Sequence, residues 1–154
     1  MLVAIVAALA LAAQTTPATA AAPAESSLEY ATPFAGDWTY AATSGGSDAT
    51  FANASGVPQV TIRCVRARRK VQILKAASSA SPTLSVWTSA EARSLPATFD
   101  ATSARVIAEL GAYDPLLDAV ASSRGRVAFG TPGAAALVVP PWAEVARVIE
   151  DCRV

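Results

Sequence analysis

Two cysteines far apart in the chain both sit where the local pattern turns them inward. Cys64 ends an alternation in which Val60, Ile62 and Cys64 interleave with Thr61 and Arg63, the period-two signature of a strand with one apolar face. Cys152 closes a recurrence of Trp142, Val145, Ile149 and Cys152, at spacings of three, four and three residues, the apolar stripe of a helix lying on a core. A bond between them ties a mid-chain strand to the last helix. The loop it closes approaches 90 residues, which the chain-entropy account values at about 4–5 kcal/mol. Pairing is the expectation if the chain matures in an oxidising compartment; the alternative is two buried free thiols.

The start of the chain supplies that compartment. Residues 1–13 (MLVAIVAALALAA) are an almost unbroken apolar run, shorter than the roughly 20 residues a membrane span needs. Gln14-Thr15-Thr16-Pro17 and the small residues Ala18-Thr19-Ala20-Ala21-Ala22 follow, the apolar core and A-x-A pattern of a secretory signal peptide. No Lys or Arg precedes the run, so only the terminal amine carries positive charge there. Pro23 disfavours cleavage after Ala22, so the expected cut follows Ala20. No cysteine near it offers a lipoprotein anchor. Left uncleaved, the run would read as a membrane anchor or a buried helix. The expected organisation is a signal peptide over 1–20, an irregular lead-in over 21–35 and one exported domain over 36–154. Its expected location is periplasmic or secreted, with no stable membrane span after cleavage.

Charge narrows the partners. Twelve basic residues balance twelve acidic ones, for a formal net charge of zero. This argues against a nucleic-acid binder and lends nothing to a membrane-surface protein. The basic residues are unevenly placed, however: none precedes Arg63, and six of the twelve lie between Arg63 and Lys75.

From residue 36 the chain reads as strands and turns. Residues 36–43 (GDWTYAAT) alternate Trp38 and Tyr40 with small and polar residues, and Ser44-Gly45-Gly46-Ser47 is a turn leading to a returning strand over 48–52. Strands follow over 57–65, 70–75 and 83–88, spaced as an antiparallel meander, with a short one at 97–99. Residues 103–110 alternate Arg105, Ile107 and Glu109 with Val106, Ala108 and Leu110, which favours a strand over a helix. Asp114-Pro115 opens a helix, with Asp as N-cap and Pro in the first turn. Residues 126–130 and 135–139 flank Thr131-Pro132-Gly133 as a hairpin, and Pro140-Pro141 opens the last helix over 142–152. Trp142 is expected in the core. Trp38 and Trp87 are expected to pack in the core as well, with a cleft lining as the alternative.

The chain contains no histidine. This removes Ser-His-Asp and Cys-His nucleophiles, His-based zinc sites and a pH switch near neutrality. No Ser-x-x-Lys occurs after the apolar start, and the glycine pairs lack the spacing of a phosphate cradle. Carboxylates remain: Asp100, Glu109, Asp114 and Asp118 are the candidates for hydrolase chemistry, which needs two of them facing one another across a cleft. Asp114 is better explained as a cap. The strongest polar feature is the basic cluster Arg63, Arg66, Arg68, Arg69 and Lys70. It suits an anionic partner such as a carboxylate-rich polymer, a phosphate-bearing lipid or the acidic surface of an envelope protein. The simpler reading, and the one favoured, is a hairpin tip whose charge keeps sheet edges soluble.

Leu116-Leu117-Asp118-Ala119, Ser123-Arg124-Gly125-Arg126, Leu137-Val138-Val139-Pro140 and Glu150-Asp151-Cys152-Arg153 together resemble uncharacterised small exported proteins of alphaproteobacterial type. More loosely, a helix, two strands and a final helix ending in a bridged Cys is similar to invasion-associated locus B and type VI accessory domains. This chain lacks the closely spaced early cysteines of those domains, and neither resemblance implies an activity. The expected fold is α+β: an antiparallel, sandwich-like sheet of six to eight strands and two short helices, the last stapled to the sheet by Cys64–Cys152. The expected function is a non-enzymatic envelope or periplasmic binding module without cofactor or metal. The alternatives are a carboxylate-dependent hydrolase and an inhibitor of a secreted hydrolase acting through the loop over 66–70.

Overall fold

A computed structural model describes residues 25–154; the expected signal peptide and cleavage position lie outside the described residues. The elements in chain order are α1 (Glu25–Glu29), β1 (Gly36–Thr43), β2 (Gly46–Asn53), β3 (Pro58–Val65), β4 (Lys70–Ala76), β5 (Thr83–Trp87), β6 (Ala92–Asp100), β7 (Arg105–Gly111), α2 (Pro115–Ser122), β8 (Val127–Gly130), β9 (Leu137–Val139) and α3 (Ala143–Asp151). The fold is α+β, with the strands in one antiparallel nine-stranded sheet ordered β1-β2-β3-β4-β7-β6-β5-β8-β9.

The sheet is sandwich-like because it curls on itself. Its two ends meet: the Phe34 N–H donates to the Val138 carbonyl at 2.7 Å, and the Trp38 indole Nε1 donates to the Pro140 carbonyl at 2.8 Å. The expected meander holds for β1 to β4 and then breaks. The chain crosses from β4 to β5 over residues 77–82, and β7 and β6 fill the space between, so that β4-β7-β6-β5 form a Greek key. The crossing is tacked to the strand ends by Ala77 N–H to Ala104 O and Ala97 N–H to Pro82 O. The strand expected at 97–99 runs over Ala92–Asp100. It is long because its first half pairs with β5 and its second half with β7, a role that its own weak alternation does not announce. The expected irregular lead-in contains the single turn of α1.

Alternation sorts the side chains. Ala49 and Phe51 of β2, Val60, Ile62 and Cys64 of β3, Val71 and Ile73 of β4, and Val106 and Ala108 of β7 point to the concave inner face and are buried. Trp38 stacks edge-on against Phe51, ring centroids 5.5 Å apart. Helices α2 and α3 pack on one another, and α3 lies across β1, β2 and β3. Asp114 caps α2 as expected, its carboxylate accepting the Leu116 N–H at 2.9 Å while pairing with Arg93. The buried stripe of α3 is Val145, Val148, Ile149 and Cys152. Trp142 departs from the expectation: it is the N-cap, with extended backbone, and is 41% exposed. The helix begins at Ala143, one residue later than its pattern implies, and Val148, which that pattern did not include, is buried beside Ile149.

The Cys64–Cys152 disulfide is formed, with Cα atoms 5.3 Å apart across a separation of 88 residues. Gly46 makes room for it. Cys64 and Ser47 are register partners, and at the neighbouring Gly46 a Cβ would sit 2.3 Å from the Cys64 carbonyl oxygen. No larger residue lets β2 approach β3 this closely. Such a disulfide is characteristic of chains that fold in an oxidising, non-cytoplasmic environment. Among the described residues no helix is long and apolar enough to cross a membrane.

Two stability tests follow from this packing. Replacing both cysteines (Cys64→Ala with Cys152→Ala) is expected to cost about 4–5 kcal/mol and to lower Tm by on the order of 15 °C, read by calorimetry. An unchanged Tm would mean that α3 is held without the bond. Lys75 is the second case. It takes an inner-face position on β4 between Val60 and Val106, is 8% exposed, and donates only to its neighbour's carbonyl, Ala76 O, at 3.2 Å. Burial pushes its pKa down. Lys75→Met is expected to stabilise the fold by about 1 kcal/mol in denaturant unfolding, because an ammonium without an anionic partner gives way to an apolar chain of similar length.

Candidate functional site: a basic hairpin tip and the cleft beside it

The five-cation cluster does occupy a hairpin tip. Arg66–Arg68 form one 3-10 turn between β3 and β4, and Arg69 closes it in the left-handed region at φ 47°, ψ 50°. A non-glycine residue there is uncommon, and the turn holds it with the Arg69 N–H on Arg66 O at 3.0 Å. The tip is less free than five charges suggest. Arg63 makes a bidentate pair with Asp48 at 2.9 and 2.8 Å, and this contact raises its pKa. Arg68 reaches Glu109 at 2.7 Å. Arg69 and Lys70 carry no ion pair among the described residues.

The end of α3 lies under this tip. The Asp151 carboxylate accepts from the Ser47 hydroxyl at 2.7 Å and the Tyr40 hydroxyl at 2.8 Å. Ser47 is fully buried, and the Arg147 guanidinium stacks 3.8 Å from the Tyr40 ring centroid. The Ser47 bond foremost, then the Tyr40 bond and the charges of Arg147 and Arg66, hold the Asp151 carboxyl below its ordinary value. Arg153 is also more than the surface charge its position suggests. Its Nε donates to Ala112 O at 3.0 Å and its guanidinium pairs with Asp118 at 2.7 Å, which fastens the chain's last turn to the start of α2.

The candidate carboxylates do not converge. Asp100 caps the β6–β7 turn, accepting from Thr102 N–H at 2.9 Å and Ser103 Oγ at 2.7 Å. These bonds, the Ser103 one first, hold its carboxyl below the ordinary value, the opposite of a general acid. Glu109 is taken by Arg68 and Gln72, Asp114 by the cap and Arg93, and Asp118 by Arg153. Only Asp100 of the four borders the cleft beside the tip. Among the described residues no three His, Cys, Asp or Glu side chains are grouped to hold a metal ion.

That cleft is the feature the sequence reading missed. It encloses about 420 Å³ on the outer face of β2, β3, β4 and β7. Register places Thr50 beside Thr61, Leu74 and Ile107 in one cross-strand row. Although they face outward, Thr61 is only 4% exposed and Leu74 7%, because the longer side chains around them cover them. The Thr50 and Thr61 hydroxyls lie 3.1 Å apart. Asp48–Arg63 and Gln72 border one end, and Asp100, Ser103 and Arg105 the other. Arg105 has no ion pair among the described residues and makes only a 3.4 Å contact to Leu74 O. The signal was in the sequence as the polar half of each strand's alternation, but it becomes a site only once the non-sequential β4–β7 pairing is known.

No protein-family model matches the chain, no curated protein matches it in sequence, and no solved structure matches its fold.

The lowered Asp151 pKa sets a direction for acid. A carboxylate whose folded pKa is depressed stabilises the fold above its unfolded value and loses that contribution as pH falls through the folded value. The stability gap between the wild type and Asp151→Asn is expected to be full above about pH 4, near the reference value of 3.8, and to close at lower pH. A gap constant down to pH 2 in acid-dependent unfolding would contradict the assignment.

Proposed function

We propose that the protein is a non-enzymatic binding module of the periplasm or the secreted space. The observation that carries this reading is the fate of the carboxylates. Each of Asp100, Glu109, Asp114 and Asp118 is engaged in a cap or an ion pair, and of the two carboxylates that border the cleft, Asp100 caps a turn and Asp48 is held by Arg63. Without histidine, and with both cysteines in a disulfide, the described residues offer neither a histidine-activated nor a thiolate nucleophile. The inner face is filled by core and by α3, which leaves the outer face and the hairpin tip for recognition. Arg69 and Lys70 present unpaired charge at the tip, which supports an anionic partner there, either a carboxylate-rich polymer or an acidic envelope protein.

The test is retention on an immobilised polyuronate at low and high salt. Retention that salt abolishes, and that Arg69→Glu with Lys70→Glu reduces about tenfold or more with no change in Tm, supports the reading. Equal retention of the doubly reversed protein would remove the tip from recognition, and turnover of any substrate by the purified protein would overturn the non-enzymatic assignment.

A further inference from the structure

We propose that the cleft on the outer face of β2, β3, β4 and β7 binds an uncharged saccharide, a ligand class distinct from the anionic partner of the hairpin tip. This inference rests on the binding-module reading. The chemistry of the lining selects the class. The cleft's formal charge is balanced: Arg63 and Arg105 stand against Asp48 and Asp100. Neither a polyanion nor a polycation gains from such a site. It nevertheless presents both donors and acceptors: the Thr50 and Thr61 hydroxyls, the part of the Gln72 amide left over from its bond to Glu109, and the Asp48–Arg63 pair, fixed by its two hydrogen bonds. A polyhydroxylated ligand matches such a mixture, because each sugar hydroxyl both gives and accepts a hydrogen bond.

The floor adds an apolar element. In the row that continues from Thr61, the half-buried Ile107 offers aliphatic surface to the C–H face of a pyranose ring, beside its buried register partner Leu74. The volume of about 420 Å³ falls within the range of small-ligand pockets. The site is also rigid. Its strands are held by continuous ladders from β2 through β3 and β4 to β7, and the Asp100 turn is fixed by Ser103 and Thr102. Arg105 is the residue with donors to spare. Among the described residues only one of its guanidinium nitrogens has a hydrogen-bond partner, at 3.4 Å, which leaves the others for ligand oxygens.

The experiment is an NMR titration of the ¹⁵N-labelled full chain with neutral trisaccharides (maltotriose, cellotriose and triacetylchitotriose), an anionic one (trigalacturonate) and a cationic one (chitosan trimer). Saturable shifts centred on the amides of Thr50, Thr61, Gln72 and Arg105, stronger with a neutral sugar than with either charged one, support the proposal. Arg105→Met should then weaken that binding about tenfold, whereas Arg69→Glu leaves it unchanged. No shifts with any neutral trisaccharide at millimolar concentration, shifts centred elsewhere, or tighter binding of a charged trimer would overturn it. The two proposals fail separately. Absence of sugar binding removes this inference and leaves the tip's recognition standing, whereas a bound trisaccharide recovered in shortened form supports the cleft and removes the non-enzymatic reading.

Discussion

The hold of helix α3 on the sheet is the constraint on which the rest of the structure depends. A nine-stranded sheet that curls until its ends meet has a deep apolar interior, and the strands alone do not cover it. Helix α3 lies over β1, β2 and β3 and brings Val145, Val148 and Ile149 to the inner face. It is fixed there in two ways. The Cys64–Cys152 bond joins its C-terminal end to β3, and Asp151 accepts from Ser47 and Tyr40 on β2 and β1. The first restricts the unfolded chain; the second stabilises only the folded one and fades with acid. Gly46 belongs to the same device, since only the absence of a Cβ lets β2 pass so close to Cys64.

With the interior filled, recognition falls to what remains outside. The outer surface of the sheet is polar by alternation, but it is not uniform. The hairpin tip between β3 and β4 projects cations, of which Arg63 and Arg68 are neutralised by Asp48 and Glu109. The neighbouring cleft is neutral, hydroxyl-lined and floored by two aliphatic side chains. One face therefore carries two chemically different surfaces, one suited to charge and one to hydrogen bonding. The ion pairs that quiet the tip also rigidify the edge of the cleft, because Arg63 and Asp48 belong to both.

Much of the fold was legible because it rests on local pattern. The alternations around Val60–Cys64, Val71–Ile73 and Val106–Leu110 gave the strands and their buried faces, Asp114-Pro115 gave the start of α2, and the two inward cysteines gave the staple. What was not legible depended on pairing between distant segments. The Greek-key crossing after β4 has no local signature, so the length of β6 and the β4–β7 contact could not be read. The cleft inherits that limit: Thr50, Thr61, Gln72 and Arg105 look like ordinary solvent-facing positions until four strands are placed side by side. Trp142 shows the opposite error. A spacing that fits a helical stripe did not reveal that the helix begins one residue later, after Pro140-Pro141, which leaves the indole at the cap. The basic cluster was correctly placed at a turn, yet its charge was overcounted, because the partners Asp48 and Glu109 lie on other strands.

The most direct test of this account is the state of the two thiols in protein recovered from its native host, alkylated before and after reduction and weighed intact. The account predicts no labelling before reduction and two labels after it, the mark of a Cys64–Cys152 bond formed in an oxidising compartment. Two labels without reduction would contradict it, leaving α3 without its covalent tie and removing the basis for placing the protein outside the cytoplasm.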